Sequence, residues 1–289
     1  MKTTIAITGS AGQLGSELAR QLGSRAVQLS RAHINLASDA SILDALGEIR
    51  PAILINCAAY TAVDKAESDA EACFRANAEA VATMTGYCRE RNIRLVQLST
   101  DYVFDDYAAD NAAGSQRPLD EQTPASPRGI YAQSKLQGEI AAAATPENLI
   151  VRTCGLYGGG PTMRNFVETM IRLAATNPEL RVVDDQRCTP SYCVDVAAAV
   201  LRLIEQEATG LYHVTNREST TWFELAQTLF SLTRKPTVVQ PISTAEYGAA
   251  APRPAYSVLS LEKYSACVQR EMPSWRNALE RYLNDRKLA

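Results

Sequence analysis

The sequence holds only two histidines, His33 and His213, and they stand far apart in its 289 residues. A histidine-based metal or general-base site is therefore not expected. Neither sign of charge dominates: 29 Lys and Arg stand against 32 Asp and Glu, a net charge of −3. That balance argues against a nucleic-acid groove and against a polybasic membrane patch. No stretch approaches the ~18 consecutive apolar residues that would span a bilayer. Glycines cut short the N-terminal apolar run where a signal peptide would need more apolar length. Cys57, Cys73, Cys88, Cys154, Cys188, Cys193 and Cys267 are odd in number and show no C-x-x-C spacing. A disulfide framework or a zinc site needs tighter grouping, so buried, reduced thiols in a cytoplasmic protein are expected.

What is present is an alternation of short apolar runs and helical patterns. Strands are expected at Thr4–Thr8, Ala26–Leu29, Ile53–Asn56, Leu95–Ser99 and Leu149–Arg152, each of the kind buried in parallel sheets. Leu14, Leu18 and Leu22 recur at helical spacing, residues 64–91 read as one long helix, and another helix runs from about Tyr131 to Ala144. This order predicts an α/β fold, a Rossmann-type doubly wound parallel sheet, with a smaller, sequence-interleaved substrate-binding lobe. Residues 1–152 are assigned to the dinucleotide-binding domain, with returns to it near 178–207 and 240–260, and 153–289 mainly to the lobe. A strand at Leu180–Val183 is expected to rejoin the sheet, whereas Leu211–Val214 falls in the lobe. Residues 105–129 read as a long irregular loop, a length that is usually functional or disordered.

The segment TTIAITGSAGQLGSELARQL is a strand, then Gly9, Gly12 and Gly15, then an amphipathic helix. Glycines at this spacing let the backbone approach a pyrophosphate whose charge sits at the helix N-terminus. An acid closing the second strand would hold the ribose 2′-hydroxyl of NAD, but Ser30 and Arg31 stand there instead. An arginine accommodates a 2′-phosphate, so NADPH is favoured and NADH is left open.

Tyr131 and Lys135 lie four residues apart, on one face of a helix. A cation beside a phenol favours phenolate, and bringing its pKa from ~10 toward ~7 takes roughly 4 kcal/mol. In the reducing direction Tyr131 would donate a proton to a carbonyl as hydride arrives. Thr100, closing the preceding strand, could orient the same carbonyl.

Together with the glycines, these residues resemble an extended short-chain dehydrogenase/reductase. The segments INCAAYTAVDKAES, LSTDYVFD, YAQSKLQGE, VRTCGLYG, VVDDQRCTPSYCVDVA, GLYHVTN and RPAYSVL narrow the resemblance to the dTDP-4-dehydrorhamnose reductase family, across nearly the whole chain. The resemblance implies NADPH-dependent reduction of the 4-keto group of a dTDP-linked 6-deoxy sugar, most directly dTDP-4-dehydro-L-rhamnose. It implies that Gly12, Gln13 and Leu14 line the pyrophosphate and that Asn35 and Leu36 sit near the adenine. Ala58, Ala59, Tyr60 and Thr61 would follow the nicotinamide end of the cofactor, with Lys135 on the nicotinamide ribose and Ser99 also among the cofactor-binding residues. Thr100, Asp101 and Tyr102 would meet the sugar, and Arg253 its diphosphate. Pairing of two copies and use of magnesium are left open by the resemblance, although no carboxylate cluster compels a metal.

The chain departs from the family pattern at three places. Gly155 stands where many members carry a tryptophan, Cys188 replaces a glycine, and the loop from Asp105 to Tyr131 is longer. A stacking aromatic buries about 150–250 Å², so its loss bears on the sugar pocket rather than on the chemistry. Two other readings compete: a sugar-nucleotide epimerase or dehydratase that recycles hydride on tightly held NAD, and a non-catalytic subunit resembling the methionine adenosyltransferase beta subunit.

Overall fold

A computed structural model describes residues 4–105 and 117–288. The apolar runs of the first half form β1 (Ile5–Thr8), β2 (Ala26–Leu29), β3 (Ile53–Asn56), β4 (Arg94–Thr100) and β5 (Leu149–Thr153). They pair in parallel in the order β5-β4-β3-β1-β2. Successive strand side chains point to opposite faces. Ile5, Ile7, Ile55, Val96, Leu98, Leu149 and Val151 accordingly enter one core cluster, while Ala6, Leu54, Leu95 and Ile150 enter another.

Helices cover both faces. Leu14, Leu18 and Leu22 of α1 (Gln13–Leu22) pack on the first face; Ile42 and Leu46 of α2 (Asp39–Ile49) pack on the second. The stretch 64–91 is not one helix. It divides into α3 (Val63–Ala66), α4 (Ala70–Phe74) and α5 (Ala80–Glu90), with a wide π-type turn over Arg75–Glu79. The break falls at Glu67–Asp69, where polar side chains serve long-range partners: Glu67 accepts the Ile130 amide at 2.9 Å, and Asp69 accepts the Tyr60 hydroxyl at 3.0 Å. The next helix, α6 (Ile130–Ala143), thus begins against a carboxylate, which suits the positive end of a helix.

The second half contains α7 (Phe166–Leu173), β6 (Glu179–Val183), α8 (Cys193–Glu205), β7 (Gly210–His213), α9 (Trp222–Leu232), β8 (Val238–Ile242) and α10 (Trp275–Asp285). Two assignments change here. The 179–183 strand does not rejoin the central sheet but pairs in parallel with β8, so neither it nor the 240–260 region returns there as a strand. Its alternating exposure gives it one buried face, suited to a two-stranded flap rather than to a sheet covered on both sides. Conversely, β7 leaves the lobe and becomes the sixth strand of the sheet, parallel to β5 with His213 opposite Arg152. Within the 178–207 region it is α8 that returns, with Val196, Val200 and Leu203 in the core beneath α1.

A separate core built on Trp275, Tyr157, Tyr192 and Tyr282 organises the lobe. Tyr157 stacks on Tyr192 with centroids 5.6 Å apart and planes 10° apart. Residues 106–116, part of the expected long loop, lie outside the described residues.

Candidate active site

Chain order reverses between β1 and β3, so a crevice opens beyond their carboxyl ends. Gly9 turns the chain there with φ +64°, and a Cβ on it would lie 2.7 Å from the Ala58 nitrogen. A Cβ on Gly15 would strike the Gly9 carbonyl. Glycine is required at both positions by close backbone approach, and the amide of Gly12 donates to the Gly9 carbonyl at 2.9 Å. The result is an open helix N-terminus facing a cavity, a fit for a dinucleotide pyrophosphate.

Two adjoining hollows share Gly9, Gly12, Ala58, Ala59 and Thr61. The larger, about 910 Å³, is also walled by Ser30, Arg31, Asn35, Leu36 and Tyr60. The smaller, about 300 Å³, runs inward past Gln13, Leu14, Gly15 and Ser99 to Tyr131 and Lys135. Every cofactor residue expected from the sequence therefore borders one continuous crevice. Arg31 is exposed on its rim.

α6 is seated to deliver Tyr131 and Lys135 into the inner hollow. Gly138 on its buried side admits the Asn77 carbonyl, where a Cβ would clash. The Asn77 side chain accepts the Tyr60 amide at 2.8 Å and donates to Ser134 Oγ at 3.0 Å, tying α6 to the crevice wall. At the helix N-terminus Asp105 accepts the Gly129 amide at 3.3 Å, and burial pushes its carboxyl up to about 6.

Burial pushes the Tyr131 phenol above its ordinary pKa, and a hydrogen bond with Thr100 offsets part of this. The phenolate expected from a neighbouring Lys135 is not what the free protein favours, because desolvation outweighs any nearby cation. Lys135 is itself buried, which lowers its pKa to about 8. Its Nζ donates to the Leu98 carbonyl at 2.7 Å. A protonated phenol beside a lysine poised near neutrality suits proton donation to an incoming carbonyl.

Beside this pair Tyr102 meets the Tyr131 ring edge-on. Thr100 and Asp101 are buried, and neither they nor Tyr102 and Arg253 border the two hollows. Asp101 accepts the Ser257 hydroxyl at 2.6 Å and the Thr100 hydroxyl at 3.2 Å, and burial raises its carboxyl. Arg253 is committed to a two-pronged ion pair with Asp64, at 3.0 and 2.9 Å. Gly155 sits at φ +52°, and the space of its missing side chain is taken by Trp222 and Pro190, each 3.2 Å from a Cβ built there. Cys188, another of the family departures, is hydrogen-bonded to Cys154, which also reaches Asp101.

Met163, Arg164, Leu156 and Thr153 border the inner hollow as well, and sequence reasoning missed them. The glycine-rich run 155–161 was the available signal. It carries the chain from the sheet back toward α1, where Asn165 donates to Gln13 Oε1 at 2.7 Å. Among the described residues no three His, Cys, Asp or Glu side chains gather as a metal site would need.

Known proteins match this arrangement along the whole chain. Residues 1–288 match the family described as RmlD substrate binding domain. The spore coat polysaccharide biosynthesis protein SpsK of Bacillus subtilis (strain 168) is 38% identical, over 99% of both chains. A Streptomyces griseus protein named dTDP-4-dehydrorhamnose reductase is 38% identical over 94% of this chain and 90% of its own. The solved dTDP-4-dehydrorhamnose reductase of Bacillus anthracis str. Ames, in complex with NADP, superposes with a TM-score of 0.92 at 35% identity, covering 99% of this chain and 100% of the other. With the glycine cradle, the half-buried Tyr131 beside the buried Lys135, and this end-to-end likeness in view, the chain belongs to the dTDP-4-dehydrorhamnose reductase family of extended short-chain dehydrogenase/reductases.

Proposed function

We propose that the protein is an NADPH-dependent reductase of the 4-keto group of a dTDP-linked 6-deoxy sugar, with dTDP-4-dehydro-L-rhamnose the first substrate to try. The observation that carries the reading is the placement of Tyr131 and Lys135, one helical turn apart, at the inner end of the dinucleotide crevice. When bound, the reduced nicotinamide supplies the hydride. The Gly9–Gly15 cradle and the α1 N-terminus receive the pyrophosphate, and Arg31 meets the adenosine ribose phosphate. Thr100 and Tyr131 converge on the carbonyl oxygen; Tyr131 gives up its proton there, and the Lys135 ammonium stabilises the phenolate left behind. Asp101 orients Thr100 from below, Tyr102 flanks the ring, and Arg253 faces the diphosphate if it exchanges Asp64 for it. Residues 1–152 carry the cofactor in this reading, and 153–289 supply most of the substrate lobe.

Seven free cysteines support a reducing, cytoplasmic setting, and no described helix is long and apolar enough to cross a membrane. The test is NADPH consumption with dTDP-4-keto-6-deoxy sugars, run beside UDP-linked analogues, in the presence and absence of magnesium. Stoichiometric NADPH oxidation with the dTDP substrates is expected. Protein that purifies with NAD and turns over without net NADPH loss would instead be an epimerase or dehydratase. A stoichiometric protein partner with no turnover would mark a binding subunit, and sedimentation of the same sample reads whether two copies pair.

A further inference from the structure

One turn along α6 from Lys135 lies a buried ion pair that the proposed chemistry does not touch. Glu139 follows Lys135 by one turn, so the two side chains share a helix face. Both are buried, with 5% of each residue exposed. Arg152, near the end of β5, grips Glu139 with two prongs: Nε to Oε1 at 2.9 Å and Nη2 to Oε2 at 2.7 Å. Both carboxylate oxygens are thereby occupied, and Lys135 Nζ turns to the Leu98 carbonyl. The remaining nitrogen of Arg152, Nη1, is buried and has no hydrogen-bond partner among the described residues. Phe104 lies under its guanidinium, Cζ being 4.9 Å from the ring centroid, and His213 is its strand neighbour. Burial together with Arg152 keeps that histidine neutral, with a pKa lowered to about 3.

One buried carboxylate thus stands between two buried cations. We propose that Glu139 and Arg152 are positioning residues that together set the protonation and reach of Lys135: Arg152 holds the Glu139 charge back, so that Lys135 feels it through space without being captured by it. A free carboxylate one turn away would draw Nζ off Leu98 and out of the crevice. No carboxylate there would leave Lys135 with desolvation and a second cation, both of which discharge it. The other groups facing Lys135 are Tyr131 on its own helix, the thiols of Cys57 and Cys73, and the Leu98 carbonyl. Glu139 is the carboxylate in this set. The functional consequence rests on Lys135 serving the cofactor, as proposed above; the charge relationship does not.

The test reads Lys135 directly in the full-length protein without cofactor. The chain has six lysines, so isotope-labelled lysine, assigned with Lys135→Met, gives a resolvable NMR titration. Glu139→Gln should move the Lys135 midpoint to lower pH by about one pH unit, and Arg152→Gln should move it to higher pH by a similar amount. The double variant, which removes a neutral pair, should return it near the parent value. A merely structural pair would not produce opposed shifts. Midpoints that stay put, or that move in the same direction in both single variants, overturn the proposal. Should a single variant fail to fold, the double variant and Glu139→Asp decide: the double must titrate near the parent and the aspartate must shift partway down, and any other pattern overturns it. The alkaline limb of NADPH affinity is measured on the same variants. Opposed NMR shifts with an unmoved limb support the charge relationship and overturn the cofactor role of Lys135.

Discussion

The ring of Tyr131 stands edge-on to that of Tyr102, with centroids 5.9 Å apart and planes 87° apart. Such a T-shaped pair is worth about 0.5–1.5 kcal/mol beyond the area it buries. It also holds the phenol in one orientation, at the place where β4 ends in Thr100. Removing the hydroxyl while keeping the ring should therefore isolate the chemistry. Tyr131→Phe is expected to cut kcat by about 10²–10⁴, the loss typical of a general acid, with Kd for NADPH little changed. A kcat within threefold of the parent would transfer the acid role to another group.

Cofactor preference should follow the crevice rim. Arg31 is exposed beside the larger hollow, where it can meet a 2′-phosphate and has nothing to gain from NADH. Arg31→Ala should raise KM for NADPH by roughly tenfold, about 1.4 kcal/mol, and leave KM for NADH in place. An unchanged ratio of the two constants removes Arg31 from the reading.

The glycine cradle makes a prediction about stability as well as binding. Gly15→Ala places a methyl group against the Gly9 carbonyl, and overpacking of this kind costs about 1–3 kcal/mol. Thermal unfolding should show a lower Tm, and NADPH should bind more weakly because the α1 N-terminus is pushed off the loop. Gly23→Ala is the control for the methyl group, since nothing lies within 4 Å of a Cβ there, although its φ of +56° carries backbone strain of its own. Full NADPH affinity in Gly15→Ala would show that the close approach does not shape the site.

His213 should make the fold sensitive to acid. Its pKa is held down at about 3 in the folded chain, chiefly by burial, against an ordinary 6.5. The unfolded chain therefore binds a proton that the folded chain refuses. Stability is fully present above pH 6.5 and is lost as pH falls toward 3, at roughly 1.4 kcal/mol per pH unit. Denaturant titrations of the parent and of His213→Gln should diverge with this slope over that window, the variant losing less. Parallel curves would mean that His213 takes up its proton without unfolding.

Much of this was legible locally. Parallel buried strands announce themselves as short β-branched runs, and the turn after β1 can be read from Gly9, Gly12 and Gly15, because a close backbone approach excludes side chains at those points. Tyr131 and Lys135 could be paired from spacing alone, since four residues make one helical turn. By contrast, the 64–91 helix was misread because its break is set by Glu67 and Asp69 reaching partners outside the segment. The exchange of roles between the 179–183 and 210–213 strands had no local signal either: both are short apolar runs, and pairing depends on which neighbour has a free edge.

The sequence by itself determined the fold class, the cofactor crevice and the two residues at its inner end, since these follow from periodicity, glycine placement and helical spacing. Only the tertiary structure decided the charge state and the company those residues keep. It set the Tyr131 phenol up rather than down, filled the space at Gly155 with Trp222, bound Arg253 to Asp64, and placed Arg152 against Glu139. Each of these depends on burial and on contacts between residues distant in the chain, and desolvation has no sequence period from which to be read.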